Sequence, residues 1–121
     1  MADKIEGMVS GISSSLSGLF AFSRKMSVAT GNIANVNTDE YKKTVATIVE
    51  DTKGLPGVRT EKPDTPGPVA QETDGTLREL SNVELAEEFP QMMISQRGYD
   101  ANIGALKAQD EMVGSLLDIL G

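Results

Sequence analysis

The sequence predicts a mainly α fold: N- and C-terminal helices paired as a coiled-coil-like hairpin, with a short irregular β-containing middle region. Three observations predict it. Apolar residues recur at alternating four- and three-residue steps at both ends of the 121-residue chain. Four of the five prolines (Pro56, Pro63, Pro66, Pro68) fall between those ends. The aromatic fraction is only 4%, so burial rests on aliphatic side chains and six Met, which suits helix-on-helix packing. The expected organisation is an N-terminal helix over 1–36, a strand, loop and hairpin region over 37–80, and a C-terminal helix over 81–121, forming one domain from both ends.

In the first segment the seam runs Ile5, Val9, Ile12, Leu16, Leu19, Ser23, Met26, Thr30, Ile33, with seven of nine apolar. This helix is locally weak. Gly7, Gly11, Gly18 and the run Ser13-Ser14-Ser15 each cost up to about 1 kcal/mol relative to Ala, so it needs a packing partner. The Gly7-to-Gly11 spacing fits either close helix approach or simple flexibility. The helix ends in Gly31-Asn32-Ile33-Ala34-Asn35-Val36-Asn37-Thr38. Asn37 is expected to terminate it in the left-handed region, with Thr38 and Asp39 completing a turn. Asn32 and Asn35 share one face and are expected to hydrogen-bond across to the partner helix or a neighbouring subunit, with Gln96 and Asp110 as counterparts. The alternative is that all three are surface caps.

In the middle, Thr44 to Val49 is β-branched and reads as a strand. The stretch Lys53 to Pro68, rich in Gly and Pro, reads as a loop outside any ladder. Asp74-Gly75 between Val69–Thr73 and Thr76–Leu80 reads as a hairpin.

The C-terminal segment carries the longest pattern: Leu85, Phe89, Met92, Gln96, Tyr99, Ile103, Leu106, Asp110, Val113, Leu117, Leu120, with nine of eleven apolar or aromatic. Ser81-Asn82-Val83-Glu84 has capping-box spacing, and Glu84, Glu87 and Glu88 suit the positive end of a helix dipole. Pro90 removes one hydrogen bond and predicts a kink or early break. A helix of this length, about 55 Å, exceeds what a small monomer covers and points to partners.

Composition excludes several functions. A net charge of −7 argues against nucleic acid, which requires clustered Lys and Arg. Cys and His are both absent, which removes disulfides, the usual zinc ligands and the commonest general base. No phosphate loop, calcium loop or nucleophile elbow is present. Glu87 and Glu88 point in different directions on a helix and read as an exposed acidic first turn rather than a catalytic pair. The expectation is a non-enzyme with no cofactor and no small-molecule substrate. Residues 1–4 lack a basic n-region and Met8 to Phe22 is diluted by Ser and Gly, so neither a cleavable signal peptide nor membrane insertion is expected.

Ser23 to Lys43, SRKMSVATGNIANVNTDEYKK, resembles the N-terminal signature of bacterial flagellar rod and hook proteins. Asn32, Ile33, Ala34, Asn35, Asn37, Thr38, Tyr41 and Lys42 match it. Ser81 to Glu88 and Ser95 to Asn102 resemble the family's second signature, with Gln96, Arg97, Tyr99, Ala101 and Asn102 matching. The short middle is most similar to that of the small proximal-rod C-type component. Two departures stand out: Gly31 replaces a second Asn, and Glu40 replaces a Gly before the Tyr.

The resemblance implies a structural rod subunit of the basal body. Its terminal helices would stack with those of other rod subunits and of further copies into a torque-transmitting axial tube. It further implies delivery by the flagellar export apparatus, without a cleaved signal, to a periplasmic rod. The residues expected to carry assembly are Ile12, Leu16, Leu19, Met26, Asn32, Ile33, Asn35, Asn37 and Tyr41, with Leu85, Phe89, Met92, Gln96, Arg97, Tyr99, Asn102, Ile103, Leu106, Val113, Leu117 and Leu120. Two other classes share features with it: a helical adaptor forming a small closed oligomer, and a carboxylate enzyme, which would need a concave site with a perturbed Glu or Asp.

Overall fold

A computed structural model describes residues 2–121. Two long helices dominate it: α1, Ala2–Ala34, and α2, Leu85–Leu120. They run antiparallel. Gly11 lies opposite Gln109, Gly18 opposite Asn102, Phe22 opposite Gly98, and Lys25 opposite Gln91. No helix among the described residues is long and apolar enough to cross a membrane.

Between the helices lie two separate antiparallel hairpins. The first pairs β1, Val45–Glu50, with β2, Pro56–Glu61. The second pairs β3, Val69–Gln71, with β4, Leu77–Glu79. The expected loop from Lys53 to Pro68 therefore contains a strand. Pro56 is tolerated because it is the first residue of β2, where its missing N–H breaks no inner rung. Asp51 makes the connecting turn: its carboxylate accepts from the N–H groups of Lys53 and Leu55 at 2.8 and 2.9 Å, and Gly54 takes the left-handed conformation at φ 76°. At the second turn Gly75 sits at φ 87° and Glu72 N–H donates to the Thr76 carbonyl at 2.8 Å, a three-residue loop with a glycine bulge.

The start of α2 also differs from expectation. Glu84 occupies the N-cap position without a side-chain cap bond, and neither Ser81 nor Asn82 caps the helix. Both are engaged elsewhere. Ser81 Oγ accepts from Val83 N–H at 3.1 Å, and Asn82 Oδ1 accepts from Lys43 N–H at 2.7 Å while its Nδ2 donates to the Thr65 carbonyl at 2.9 Å. Residues 41–43 and 81–83 thus run side by side, joined also by Asn82 N–H to the Tyr41 carbonyl at 3.2 Å. Nor does α2 break at Pro90. The proline lies in the second turn, and the Ala86 carbonyl it leaves unpaired belongs to an exposed residue that water can reach.

Candidate assembly surface

The helix-to-helix seam is made mostly of small and polar residues, with Phe22 its large apolar member. On α1 it comprises Gly11, Ser15, Gly18, Phe22 and Lys25, and on α2 Gln91, Ser95, Gly98, Asn102 and Gln109. Ser15 Oγ donates to Gln109 Oε1 at 3.2 Å and Lys25 Nζ to Gln91 Oε1 at 3.1 Å. Ser95 is fully buried, its hydroxyl donating back to the Gln91 carbonyl at 2.7 Å. A methyl at Gly18 would run into the Asn102 amide and one at Gly98 into the Phe22 ring, so these two glycines set the distance between the helices.

The expected apolar seams are each displaced from this contact by one residue. Ile12, Leu16 and Leu19 follow Gly11, Ser15 and Gly18, and Met26 follows Lys25. Met92, Gln96, Tyr99, Ile103 and Asp110 follow Gln91, Ser95, Gly98, Asn102 and Gln109. One residue is about 100° of helix rotation, and in an antiparallel pair the same sense of rotation brings both rows to one side. The result is an apolar strip along one face of the hairpin. Ile12, Leu16, Ile103, Leu106 and Val113, with Lys107 and Asp110 beside them, line a groove of about 650 Å³ on it. Toward the ends, Leu85, Phe89, Leu117 and Leu120 are exposed by 39, 51, 62 and 57%. Gln96 and Arg97 are exposed, while Met92, Tyr99 and Asn102 are half-buried. On the opposite face of α1, Ser17, Phe20, Ala21 and Arg24 line an open pocket with Pro56, Gly57 and Val58 of β2; Ala21 is buried there while Phe20 stays 74% exposed.

Buried apolar residues among those described are only Ala21, Ala29 and Val83, whereas Ser15, Asn32, Ser81, Glu88 and Ser95 are buried polar. The chain therefore spends few of its large apolar side chains internally. Glu88, expected in an exposed turn, is 7% exposed.

The asparagines act within the chain rather than across to α2. Asn32, 1% exposed, donates from Nδ2 to the Thr44 carbonyl at 2.8 Å and accepts at Oδ1 from Thr44 N–H at 3.0 Å and the Tyr41 hydroxyl at 3.3 Å. Asn35 donates to the Gly31 carbonyl at 2.8 Å and accepts from Thr38 Oγ1 at 3.0 Å. Neither Gln96 nor Asp110 pairs with them. Asn37 is exposed, and the left-handed residue is Glu40, at φ 60°. The helix ends instead in stacked turns, Thr38 N–H to the Asn35 carbonyl at 3.0 Å and Tyr41 N–H to the Thr38 carbonyl at 3.3 Å. Ile33, one residue beyond Asn32, is half-buried beside this lock.

Ion pairs fasten the middle region. Lys42 bonds Glu79, whose carboxyl is held below the ordinary range by that bond first and by Gly67 N–H second. Lys43 bonds Glu87 at 3.0 Å and lowers its carboxyl in the same way. Among the described residues no cluster of acidic side chains has the arrangement to hold a metal ion. Periodicity could not reveal Ser15, Gly18, Gly98, Asn102 or Gln109 as the inner seam, because it registers apolar residues. The only sequence signal was their own heptad spacing.

Comparison with known proteins agrees with the two ends of the chain. The family described as flagella basal body rod protein matches residues 12–42, and the flagellar basal body rod FlgEFG protein C-terminal family matches residues 73–119. The flagellar basal-body rod protein FlgC of Agrobacterium fabrum is 26% identical over 124 residues, covering 86% of this chain and 88% of that protein. The flagellar hook proteins FlgE of Escherichia coli and Salmonella typhimurium are each 38% identical over 47 residues. Those matches take in 39% of this chain and only 11% of the hook protein's length.

Proposed function

We propose that this chain, which belongs to the flagellar basal body rod family and has a structural role in the rod, assembles through the apolar strip of its helical hairpin with other rod subunits and with further copies of itself. In this reading the strips pack into a helical axial tube that transmits torque. The subunit carries out no catalysis, and the export apparatus delivers it without a cleaved signal to a periplasmic rod.

The observation that carries the reading is the placement of the large apolar side chains. A self-sufficient hairpin would put them between its helices. Here the inner seam is mostly Gly, Ser, Asn and Gln, with Phe22 its one large apolar member, while Ile12, Leu16, Ile103, Leu106 and Val113 line an open groove. Apolar area left in water contributes about 25 cal/mol per Å² when a neighbour covers it, so the strip supplies a driving force that folding alone does not use.

The test is a charge on the strip. Leu106→Asp places a carboxylate where a neighbour would bury it, at a cost of several kcal/mol. Cells carrying Leu106→Asp are expected to export the subunit, build no rod and fail to swim, while Glu111→Gln, an exposed charge change, leaves swimming intact. Normal motility with Leu106→Asp, expression confirmed, would sink the assembly reading. A fixed small oligomer mass by light scattering would favour a closed adaptor instead.

A further inference from the structure

On the side of the hairpin away from the apolar strip lies a second groove, of about 540 Å³, bounded by Thr44–Ile48, by Lys25, Val28 and Ala29, and by Glu87, Glu88, Pro90 and Gln91. One wall is the open edge of β1, which carries β2 on its other edge only. Asp51 N–H donates to the Leu55 carbonyl at 2.9 Å, and this fixes the alternation along the strand. Val45, Thr47 and Val49 turn their peptide groups to β2, whereas Ala46, Ile48 and Glu50 turn theirs to the groove side.

Thr44 falls on that same edge, and both of its peptide groups are already taken by the Asn32 amide. The Asn32 side chain therefore stands where the first residue of a third strand would be. The next rungs, at Ala46 and Ile48, have no hydrogen-bond partner on this edge among the described residues. Val45–Glu50 also lacks the Pro, Lys or bulge that usually protects a free edge, while the outward set of β2 includes Pro56.

The facing wall carries an unpaired acidic side chain whose oxygens still reach solvent through the groove. Glu88 is 7% exposed, and among the described residues no ion pair or side-chain hydrogen bond reaches its carboxylate. The two lysines lining the groove are engaged otherwise, Lys43 with Glu87 and Lys25 with the Gln91 amide.

We propose that this groove binds an extended segment of another protein, which adds to β1 as a third strand and sets a Lys or Arg side chain against Glu88. Five residues of strand span about 17 Å, the length of β1 edge that lines the groove. A second copy of this chain does not fit this description: its extended stretch outside the hairpins, residues 62–68, contains Pro63, Pro66 and Pro68, which lack the N–H groups a ladder needs, and its own free edge, Val45–Glu50, carries no Lys or Arg to set against Glu88.

The test uses the full chain, isotope-labelled, titrated with blocked seven-residue peptides of alternating Thr and Val bearing a central Lys or a central Glu. The Lys peptide is expected to shift the Ala46 and Ile48 amides and slow their exchange, with a Kd at least tenfold below that of the Glu peptide. Glu88→Gln should abolish that preference while the β1 shifts persist. N-methylation of alternate peptide amides on the pairing edge should remove binding without altering the protein. Shifts confined to Ile103 and Leu106, equal affinity for the two peptides, or no shift at millimolar peptide would each overturn the proposal. Concentration-dependent shifts at Ala46 and Ile48 without peptide would also overturn it, since they would identify a second copy as the occupant.

Discussion

Asn32 holds the peptide groups of Thr44 from both directions, donating to the carbonyl at 2.8 Å and accepting from the N–H at 3.0 Å. This joins the last turn of α1 to the entry of β1. Replacing Asn32 with Ala removes the partner of both Thr44 groups and of the Tyr41 hydroxyl in a half-buried site, where each group left unsatisfied costs up to about 1–3 kcal/mol. Urea denaturation of Asn32→Ala should show a loss of at least about 2 kcal/mol, while exposed Asn37→Ala stays within about 0.5 kcal/mol. Equal effects at the two positions would mean the lock contributes nothing.

The glycines of α1 and α2 should divide into two classes. Gly→Ala inside a helix ordinarily stabilises by about 1 kcal/mol. At Gly7, Gly104 and Gly114 an added methyl meets nothing within 4 Å, so each of these variants should melt higher. At Gly18 and Gly98 the methyl meets Asn102 or Phe22, and the sign should reverse. Thermal melts of the five single variants decide the matter; a gain at Gly18→Ala would show that the helices are free to part.

Glu40 adopts φ 60°, a conformation that costs a non-glycine residue about 1–2 kcal/mol. Its N–H donates to the Glu79 carbonyl at 3.1 Å, a bond glycine keeps. Glu40→Gly should therefore raise the melting temperature despite the greater backbone entropy of glycine. A lower value would place the stabilising role in the Glu40 side chain.

Glu79 and Glu87 have folded-state pKa values below their reference of 4.5, because Lys42 and Lys43 hydrogen-bond their charged forms. A depressed carboxyl stabilises the folded state fully above the unfolded pKa and loses that contribution as pH falls through the folded value. Stability measured by urea midpoint should thus decline as pH drops below about 4.5, and Lys42→Met should flatten part of that decline. An unchanged profile in Lys42→Met would remove Glu79 from the account.

Both helices, the β1 region and the Asp74-Gly75 hairpin were legible because apolar period, β-branching and turn chemistry are local. β2 was not, since Pro56 and Gly57 read as breakers and only the Asp51 turn and the partner strand make them a ladder edge. The start of α2 was not legible because Ser81 and Asn82 have cap chemistry but engage Val83, Lys43 and Thr65 with it. The apolar rows recur at heptad spacing, yet the neighbouring row of Gly, Ser and Gln, invisible to an apolar count, takes the intrachain contact.

Gln96 and Asp110 interrupt the apolar strip two heptads apart, and this spacing has a mechanical consequence. A neighbour on a strictly repeating strip could slide by one heptad, about 10 Å, and find the same surface again. With these two polar residues in place, a one-heptad slip sets Gln96 where Ile103 belongs and Asp110 where Leu117 belongs. In the assembly proposed above, a subunit held by this strip would thereby be indexed along its length, as a toothed rack is, and a column of such subunits would resist sliding at these polar positions rather than move along a smooth greasy track.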